Sequence, residues 1–244
     1  MKAEYISHMG DDLTVVNAAR VSFDKESILE YVNTQGDATA SGFELTDKDT
    51  KLIQYLAKHG HWTPFSHPQI TMRYTVPIFI ARQEFKHIVG FTRNEVSRRY
   101  VDDTPEFYTP KVWRSRPEGS IKQGSGSGIV EGVWDLEVAT GAVHVDELDG
   151  SIHDITTGTM NFMESQIGFY EQLIEVGVAP EQARMVLPQS MYTSYYITGS
   201  LAAFARMVKQ RSDPHAQVEI QELAGMVDEV IRPLFPVSWE ALTN

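Results

Sequence analysis

The most distinctive segment of the sequence spans residues 82–100 and reads Arg82-Gln83-Glu84-Phe85-Lys86-His87-Ile88-Val89-Gly90-Phe91-Thr92-Arg93-Asn94-Glu95-Val96-Ser97-Arg98-Arg99-Tyr100. It contains four arginines and one lysine, although the whole chain has a formal net charge of −12. Guanidinium groups bind the oxygens of phosphate groups in pairs, so the cluster indicates a site for a phosphate or pyrophosphate. The alternative from composition alone is a solvated basic helix face that offsets acidic neighbours.

Length, hydrophobicity and charge limit the class of protein. With 244 residues, 42% of them hydrophobic, the chain can bury a full core as one domain, which we predict to span residues 1–244. The chain contains no apolar run of about 18 residues, and its amino terminus lacks the apolar run of a signal peptide. We therefore expect a cytoplasmic protein without membrane spans. The acidic net charge argues against broad nucleic-acid binding.

The chain contains no cysteine. Disulfides, thiolate metal sites and cysteine nucleophiles are therefore excluded. Histidines are concentrated at residues 59–67, where three occur within the run His-Gly-His-Trp-Thr-Pro-Phe-Ser-His. No HExxH spacing and no partnered carboxylate accompany them, so we predict no metal site.

The spacing of apolar residues predicts an α+β protein in which helices flank a sheet. Alternation indicates a strand at residues 69–76. A run rich in Thr and Tyr indicates another at residues 192–198. Helical spacing indicates long helices at residues 46–60 and 160–177, and a long C-terminal helix that starts at Pro214.

The basic segment is predicted to begin on a helix and to continue in a loop. Pro77 suits the first turn of a helix, which we expect to run from Ile78 to about His87. After Gly90 we expect a loop, so that side chains and backbone N–H groups can converge on one anion. Ser200 is a predicted N-cap of a further helix that ends near Arg211.

The order of residues in the basic segment resembles the signature of flavin-dependent thymidylate synthases. That signature is Arg-His-Arg followed after a fixed gap by Ser, with Gln upstream and Arg-Tyr downstream. Arg82-Gln83 corresponds to the upstream part, and residues 94–100 match the downstream half closely. The chain departs from the signature at Lys86-His87-Ile88, which stands where the family has Arg-His-Arg, and the path from there to Asn94 is one residue longer.

Other segments resemble the same family, in the same order and at matching spacing. They are Asn17–Ser22, His59–His67, Ala183–Pro188 with Tyr192-Thr193, and Arg211–Gln221. Smaller members of the family are shorter around residues 118–157, so we predict an insertion there within the single domain. Its short alternating stretches suggest a small hairpin or a covering loop.

The resemblance implies roles for individual residues. It implies that dUMP is bound by Gln83, Glu95, Ser97, Arg98, Arg99, Arg184 and Arg211. The flavin contacts that it implies are Ser22, His61, Thr63, Lys86, His87, Glu95, Ser200 and Arg206. Arg184 also fits an ordinary exposed ion pair on a short helix, whereas the family pattern has this arginine reach a nucleotide in a neighbouring subunit.

The implied chemistry is the methylation of uracil without a cysteine nucleophile. A fixed guanidinium can polarise the pyrimidine ring and make carbon 5 nucleophilic, and the resemblance gives this catalytic role to Arg211. NADPH reduces FAD, 5,10-methylenetetrahydrofolate gives its methylene carbon to dUMP, and the reduced flavin supplies a hydride. The products are dTMP and tetrahydrofolate, and the family implies a homotetramer with shared active sites. Two alternatives stay open: a flavin- or nucleotide-binding protein without methyl transfer, and a flavin reductase.

Overall fold

The structure is a computed structural model that describes residues 1–32, 42–101, 103–117, 124–130, 133–134 and 153–244. Most of the predicted insertion, at residues 118–123, 131–132 and 135–152, lies outside the described residues. The chain divides into two compact units. The first unit comprises Met1–Thr75, Arg82–Glu95 and Ser194–Asn244, and the second comprises Val76–Ala81 and Val96–Thr193.

Strands and helices are both well represented, which confirms the predicted α+β class. The strands are β1 (Lys2–Met9), β2 (Glu30–Val32), β3 (Gly42–Glu44), β4 (Gln69–Pro77), β5 (Phe91–Glu95), β6 (Val133–Trp134), β7 (His153–Asp154) and β8 (Tyr192–Ser200). The α-helices are α1 (Asp12–Arg20), α2 (Asp47–Lys58), α3 (Ile78–Glu84), α4 (Ile155–Glu175), α5 (Pro180–Ala183), α6 (Leu201–Arg211), α7 (Val218–Ile231) and α8 (Pro236–Thr243).

A four-stranded sheet with the order β1-β4-β8-β5 runs through the first unit. Strand β1 is antiparallel to β4, and β5 is antiparallel to β8, with Arg93 opposite Ile197. The alternating residues Ile70, Met72 and Tyr74 of β4 are fully buried. This burial confirms the half-buried strand predicted from the alternation.

Helices α6, α7 and α8 supply much of the apolar core of the first unit. Helix α8 packs against α2 and α6, and α7 packs against α6 and strand β1. The largest fully buried side chain belongs to Trp239 of α8. The carboxylate of Asp12, in α1, accepts hydrogen bonds from the backbone N–H groups of Val237 and Ser238 at 2.9 Å each, and so caps the first turn of α8.

Local capping signals are confirmed at two of the predicted helix starts. The hydroxyl of Thr46 accepts a hydrogen bond from the backbone N–H of Asp49 at 3.1 Å, which caps α2. The hydroxyl of Ser200 does the same for α6, with the backbone N–H of Ala203 at 3.2 Å. Both helices therefore begin where the sequence predicts them to begin.

Other predicted boundaries were wrong. Helix α3 ends at Glu84 rather than near His87, and the residues after Gly90 form strand β5 rather than a loop, because they pair with β8 along their whole length. Helix α7 begins at Val218 rather than at Pro214, since the carboxylate of Asp213 binds the backbone N–H of His215 at 2.8 Å in a separate turn. Strand β1 and helix α8 were not predicted.

The second unit contains the long helix α4. It begins at Ile155, before the predicted start at residue 160, and ends before Gly177, whose φ of 91° provides the left-handed residue of the stop. The indole N–H of Trp113 donates to the hydroxyl of Thr156 at 3.1 Å, near the start of α4. Strands β6 and β7 form a short antiparallel pair just before this helix. No helix in the described ranges is both long and apolar enough to span a membrane.

Candidate active site

The guanidinium of Arg211 lies at the end of α6 and contacts two residues of the basic segment. Its Nε–H donates to Nε2 of His87 at 2.8 Å, and an Nη2–H donates to the backbone carbonyl of Gln83 at 2.9 Å. Arginine has five N–H donors in one plane. The Nη1 donors of Arg211 make no hydrogen bond to the residues that the structure describes, so one edge of the cation is available for a ligand.

A chain of side-chain amides continues from this contact. Nε2 of Gln83 donates to Oε1 of Gln217 at 2.6 Å, and Nε2 of Gln217 donates to Oε2 of Glu219 at 2.9 Å. Glu219 is buried at the start of α7. The predicted substrate residues Gln83 and Arg211 are therefore brought together, and Gln217, which lies in a matching segment but had no assigned role, connects them to α7.

The imidazole of His87 is buried and uncharged at neutral pH. Burial, followed by the positive charges of Arg211, Arg206 and Arg93, lowers the pKa of His87 from 6.5 to about 4. A neutral imidazole accepts at one nitrogen and donates at the other. Because Nε2 accepts the hydrogen bond from Arg211, the proton of His87 is on Nδ1.

Beneath the basic segment lies an ion pair that the sequence analysis did not assign. The carboxylate of Glu84 is fully buried, and Arg93 donates to it through Nε at 2.9 Å and through Nη2 at 2.6 Å. The same Nη2 donates to the backbone carbonyl of His87 at 2.6 Å, and the hydroxyl of Tyr195 donates to Glu84 at 3.1 Å. Burial raises the pKa of Glu84, while Arg93 and Tyr195 lower it.

The turn that follows the histidine packs directly on the start of α6. Gly90 has a φ of 84°, and a Cβ at this position would lie 2.9 Å from Cβ of Ala203. The guanidinium of Arg206 donates to the backbone carbonyl of Val89 at 2.5 Å. The predicted flavin contacts Ser200 and Arg206 are thus both next to this turn, although the hydroxyl of Ser200 is engaged as a helix cap.

Four other predicted flavin contacts are exposed on neighbouring parts of the first unit. Ser22 follows α1, His61 and Thr63 lie at the start of the short helical segment Thr63–Ser66, and Lys86 lies between α3 and β5. The Thr63–Ser66 segment contacts both α1 and α6. Ser22, His61 and Thr63 are therefore carried by elements that pack together with the helix that carries Arg206 and Arg211.

Four predicted nucleotide contacts lie at the end of strand β5 or just after it in the chain. Glu95 is the last residue of β5 and is exposed. In the second unit, the hydroxyl of Ser97 accepts a hydrogen bond from Nε of Arg99 at 3.1 Å. Ser97 and Arg99 are therefore in contact within one turn. In the same unit, the guanidinium of Arg98 binds the backbone carbonyl of Asp103.

Arg184 lies in the short helical segment Arg184–Val186 of the second unit and is exposed. Its Nε donates to the carbonyl of Glu181 at 3.3 Å, with no side-chain ion pair to a described residue. The alternative of an ordinary ion pair therefore has no partner among the residues described.

One cavity of the first unit lies away from these residues. A cavity of about 410 Å³ in the first unit is lined by residues that include Leu13, Phe43, Glu44, Leu45 and Leu234, and none of the predicted site residues lines it. Within the described ranges, no group of three or more His, Asp or Glu side chains is arranged to hold a metal ion.

Comparison with known proteins identifies the family. The family model described as "Thymidylate synthase complementing protein" matches residues 4–237. A flavin-dependent thymidylate synthase of Thermosipho africanus is 34% identical over 240 residues, covering 97% of this chain and 88% of the relative. The corresponding protein of Thermus thermophilus is 31% identical and covers 97% of this chain and 73% of the relative.

The chain belongs to the flavin-dependent thymidylate synthase family. The family predicted from the sequence is thereby confirmed.

The fold of the chain is similar to that of a solved nucleotide methylase. A UMP/dUMP methylase PolB from Streptomyces cacaoi, bound with 5-Br dUMP, superposes with a TM-score of 0.71 at 26% identity, covering 99% of this chain and 94% of that one. The same methylase bound with 5-Br UMP gives a TM-score of 0.73, with coverage of 99% and 93%. The fold shared with this methylase therefore extends over nearly the whole chain.

Three residues of the buried ion pair next to the basic segment were not predicted from the sequence to have a role. Arg93 was counted among the cations of the segment but received no role, and neither Glu84 nor Tyr195 was singled out. One signal was present: Glu84 follows the buried residues Ile80 and Ala81 at helical spacing, so it lies on the buried side of α3. A carboxylate on a buried helix face requires a partner.

Proposed function

We propose that the protein is a flavin-dependent thymidylate synthase, which methylates dUMP at carbon 5 to give dTMP. In the proposed reaction the methylene carbon comes from 5,10-methylenetetrahydrofolate, and NADPH is the reductant. The observation that carries the proposal is the placement of Arg211, whose guanidinium is fixed by His87 and Gln83 with its Nη1 edge unoccupied. This cation and these two residues of the family signature meet in a chain that contains no cysteine.

Arg211 is the residue that we expect to activate the pyrimidine. A guanidinium keeps its charge at all physiological pH values and donates in a plane, so it can stabilise the negative charge that develops on the ring oxygen. The neutral imidazole of His87 orients Arg211 without competing for its charge, because it accepts a hydrogen bond from Nε. We assign the other dUMP contacts to Gln83, Glu95, Ser97, Arg98, Arg99 and Arg184, as the family signature implies.

The surface around Lys86 has the chemistry that FAD requires. Ile88 and Val89 are 73% and 72% exposed beside the exposed Lys86, so a cation adjoins apolar side chains. A pyrophosphate with an attached aromatic ring system needs this combination. When bound, FAD supplies the hydride that converts the transferred methylene into a methyl group. We assign its contacts to Ser22, His61, Thr63, Lys86, His87, Glu95, Ser200 and Arg206.

A homotetramer with shared active sites is the proposed assembly, and we expect it in the cytoplasm. Helix α4 supports the assembly because it leaves a row of apolar side chains in solvent. Phe162 and Phe169 lie seven residues apart on this helix and are 47% and 48% exposed, and Val176, the first residue after the helix, is 77% exposed. An apolar repeat of seven residues on a helix is typical of helix–helix contacts between subunits.

A binding protein and a flavin reductase are the alternatives that the first experiment has to separate. The purified protein is reconstituted with FAD, and NADPH oxidation is followed with and without dUMP and methylenetetrahydrofolate, while dTMP is measured by chromatography. The proposal predicts a yellow protein that forms dTMP in proportion to the NADPH oxidised. Oxidation of NADPH without dTMP would support a reductase, and flavin or dUMP binding without either reaction would support a binding protein.

A second candidate substrate is UMP. The methylase of Streptomyces cacaoi is described as acting on both UMP and dUMP and has been solved with 5-bromo analogues of each. The two nucleotides differ only in the ribose 2′-hydroxyl, and a site without a partner for that group discriminates weakly between them. The same assay with UMP in place of dUMP decides whether this protein also methylates the ribonucleotide.

A further inference from the structure

The buried carboxylate of Glu84 has no part in the proposed reaction. Taking an ionised carboxylate out of water is unfavourable, and pairing it with a cation often only offsets that penalty. Stability alone is therefore a weak reason for an ion pair between Glu84 and Arg93. The position of the pair, directly under the connection from α3 to β5, suggests a different role.

Arg93, in β5, binds both the last residue of α3 and a residue of the connection between α3 and β5. From β5, its guanidinium reaches both carboxylate oxygens of Glu84, at the end of α3, and the backbone carbonyl of His87 between them. The rings of Phe85 and Phe91 flank the guanidinium carbon at 5.4 Å and 5.0 Å. A planar cation with several donors can satisfy these acceptors together, whereas the single ammonium of a lysine cannot.

His87 is consequently restrained at two points. Arg93 binds its backbone carbonyl, and Arg211 binds its ring at Nε2. The hydroxyl of Tyr195 donates to Glu84 at 3.1 Å and secures the carboxylate that orients Arg93. The family signature has an arginine where this chain has Ile88, whose side chain is 73% exposed, so Ile88 cannot provide a cation for this segment.

We propose that Arg93, oriented by Glu84, is a positioning residue that fixes the Phe85–Gly90 connection and thereby keeps His87 in contact with Arg211. The proposal rests on the proposed function, since it explains how Arg211 is held for its role on the pyrimidine. Arg93 contacts neither substrate nor cofactor in this account. Arg93 affects the reaction only because it holds His87 in place.

Arg93→Lys is the principal test. It keeps a positive charge opposite Glu84, so we expect the fold to be retained, but it cannot bind the carboxylate and the His87 carbonyl in the way that the planar guanidinium does. Arg232→Lys is the matched control, because it makes the same change in the bidentate pair with Asp228 on α7, at 2.8–3.1 Å. For each variant we would measure the melting temperature, kcat and KM for dTMP formation, and the NMR titration of the His87 ring without ligands.

The titration reports the position of His87 independently of catalysis. The charged groups that face its ring are Arg211 and Arg206 of α6 and Arg93 of β5. Because lysine preserves the charge at position 93, a change in the His87 pKa reflects movement of the ring into water. In Arg93→Lys we expect this pKa to rise from about 4 toward the ordinary value of about 6.5.

Turnover should change in parallel. A displacement of about 1 Å at a positioned group can cost about 100-fold in rate, so kcat should fall by about tenfold to 100-fold while Arg232→Lys stays within about twofold of the native protein. An unchanged His87 titration together with kcat equal to that of the control would overturn the proposal.

A variant that does not fold and a native protein that makes no dTMP are two further outcomes. If Arg93→Lys does not fold, the double variant Glu84→Gln/Arg93→Gln removes both charges together, so that neither is left buried and unpaired, and its kcat should fall as expected for Arg93→Lys. A kcat in that variant equal to that of the control contradicts the proposal. If the native protein makes no dTMP, the proposed function fails, whereas the His87 titration still decides the role of Arg93.

Discussion

At the scale of single residues, Arg211 separates the proposed reaction from simple binding. A nucleotide-binding protein needs cations for the phosphate, but it does not need a guanidinium that is fixed at two points with one edge unoccupied. In Arg211, Nε binds the ring of His87 and Nη2 binds the backbone carbonyl of Gln83. This geometry restrains the cation before any substrate arrives, which is what electrostatic catalysis requires.

Replacement of Arg211 by alanine should therefore abolish turnover rather than folding. We expect dTMP formation to fall by about 100-fold to 1,000-fold, as when one stabilising donor of developing charge is removed. FAD binding and the melting temperature should stay close to those of the native protein. Arg211→Lys should also fail substantially, because a point charge cannot bind His87, Gln83 and the pyrimidine in one plane. Near-native turnover in either variant would show that Arg211 does not activate the pyrimidine.

His87 predicts how stability depends on pH. Its pKa in the folded protein is about 4, against about 6.5 in the unfolded chain. Between these values the unfolded chain binds more protons, so the contribution of His87 to stability is complete above about pH 6.5 and is lost as the pH falls toward 4. Urea unfolding of the native protein and of His87→Gln should show a difference in stability that shrinks across this window. A difference that is constant between pH 4 and 7 would contradict the low pKa.

At the scale of elements, the turn at Gly90 couples the basic segment to helix α6. Its φ of 84° lies in the left-handed region, and Ala203 leaves no room for a side chain there. Gly60 is a matched control, because its φ is 69° and nothing lies within 4 Å of the position of a Cβ. Both residues therefore share the backbone strain of an L-residue, and only Gly90 adds a steric clash.

Gly90→Ala should consequently be the more destabilising of the two substitutions. The left-handed conformation costs an alanine roughly 1–2 kcal/mol at either position. At Gly90 the displacement of α6 adds to that cost, and overpacking typically contributes about 1–3 kcal/mol. Chemical denaturation of both variants measures the difference. Equal destabilisation would show that the contact between Gly90 and Ala203 is not tight.

The elements that sequence reasoning predicted well are those with local signals. Helix α6 follows from Ser200 as a cap, and strand β4 follows from its alternation, because both signals lie within a few residues. Strand β5 was predicted as a loop since it exists only through pairing with β8, which is distant in the chain. The bond between Glu84 and Arg93 crosses a turn between a helix and a strand, so neither the helical nor the strand period reveals it.

The candidate site was predictable to a similar extent. Family motifs indicated Gln83, His87 and Arg211, and the structure brings these three together. The motifs could not show that His87 is an acceptor for Arg211, because that contact depends on how α6 packs against the basic segment. The roles of the remaining substrate and cofactor contacts stay predictions.

At the scale of the whole molecule, the proposed homotetramer makes a prediction that a monomeric enzyme cannot satisfy. Arg184 belongs to the second unit and Arg211 to the first, and the family pattern has them serve one nucleotide from different subunits. Arg184→Ala and Arg211→Ala proteins, each inactive alone, should regain activity when mixed under conditions that allow subunit exchange. Some mixed sites then contain both arginines. Demonstrated exchange without any recovery would place both residues in the site of one subunit.

In the proposed reaction, this protein forms the methyl group of dTMP with a hydride from flavin. The most direct measurement is the mass of dTMP made in D₂O from unlabelled dUMP and methylenetetrahydrofolate, with FAD and NADPH. The reducing hydrogen of a flavin exchanges with solvent, so the account predicts a methyl group that carries one deuterium, and no dTMP when FAD is omitted. Unlabelled dTMP, or no dTMP with all components present, would contradict the account.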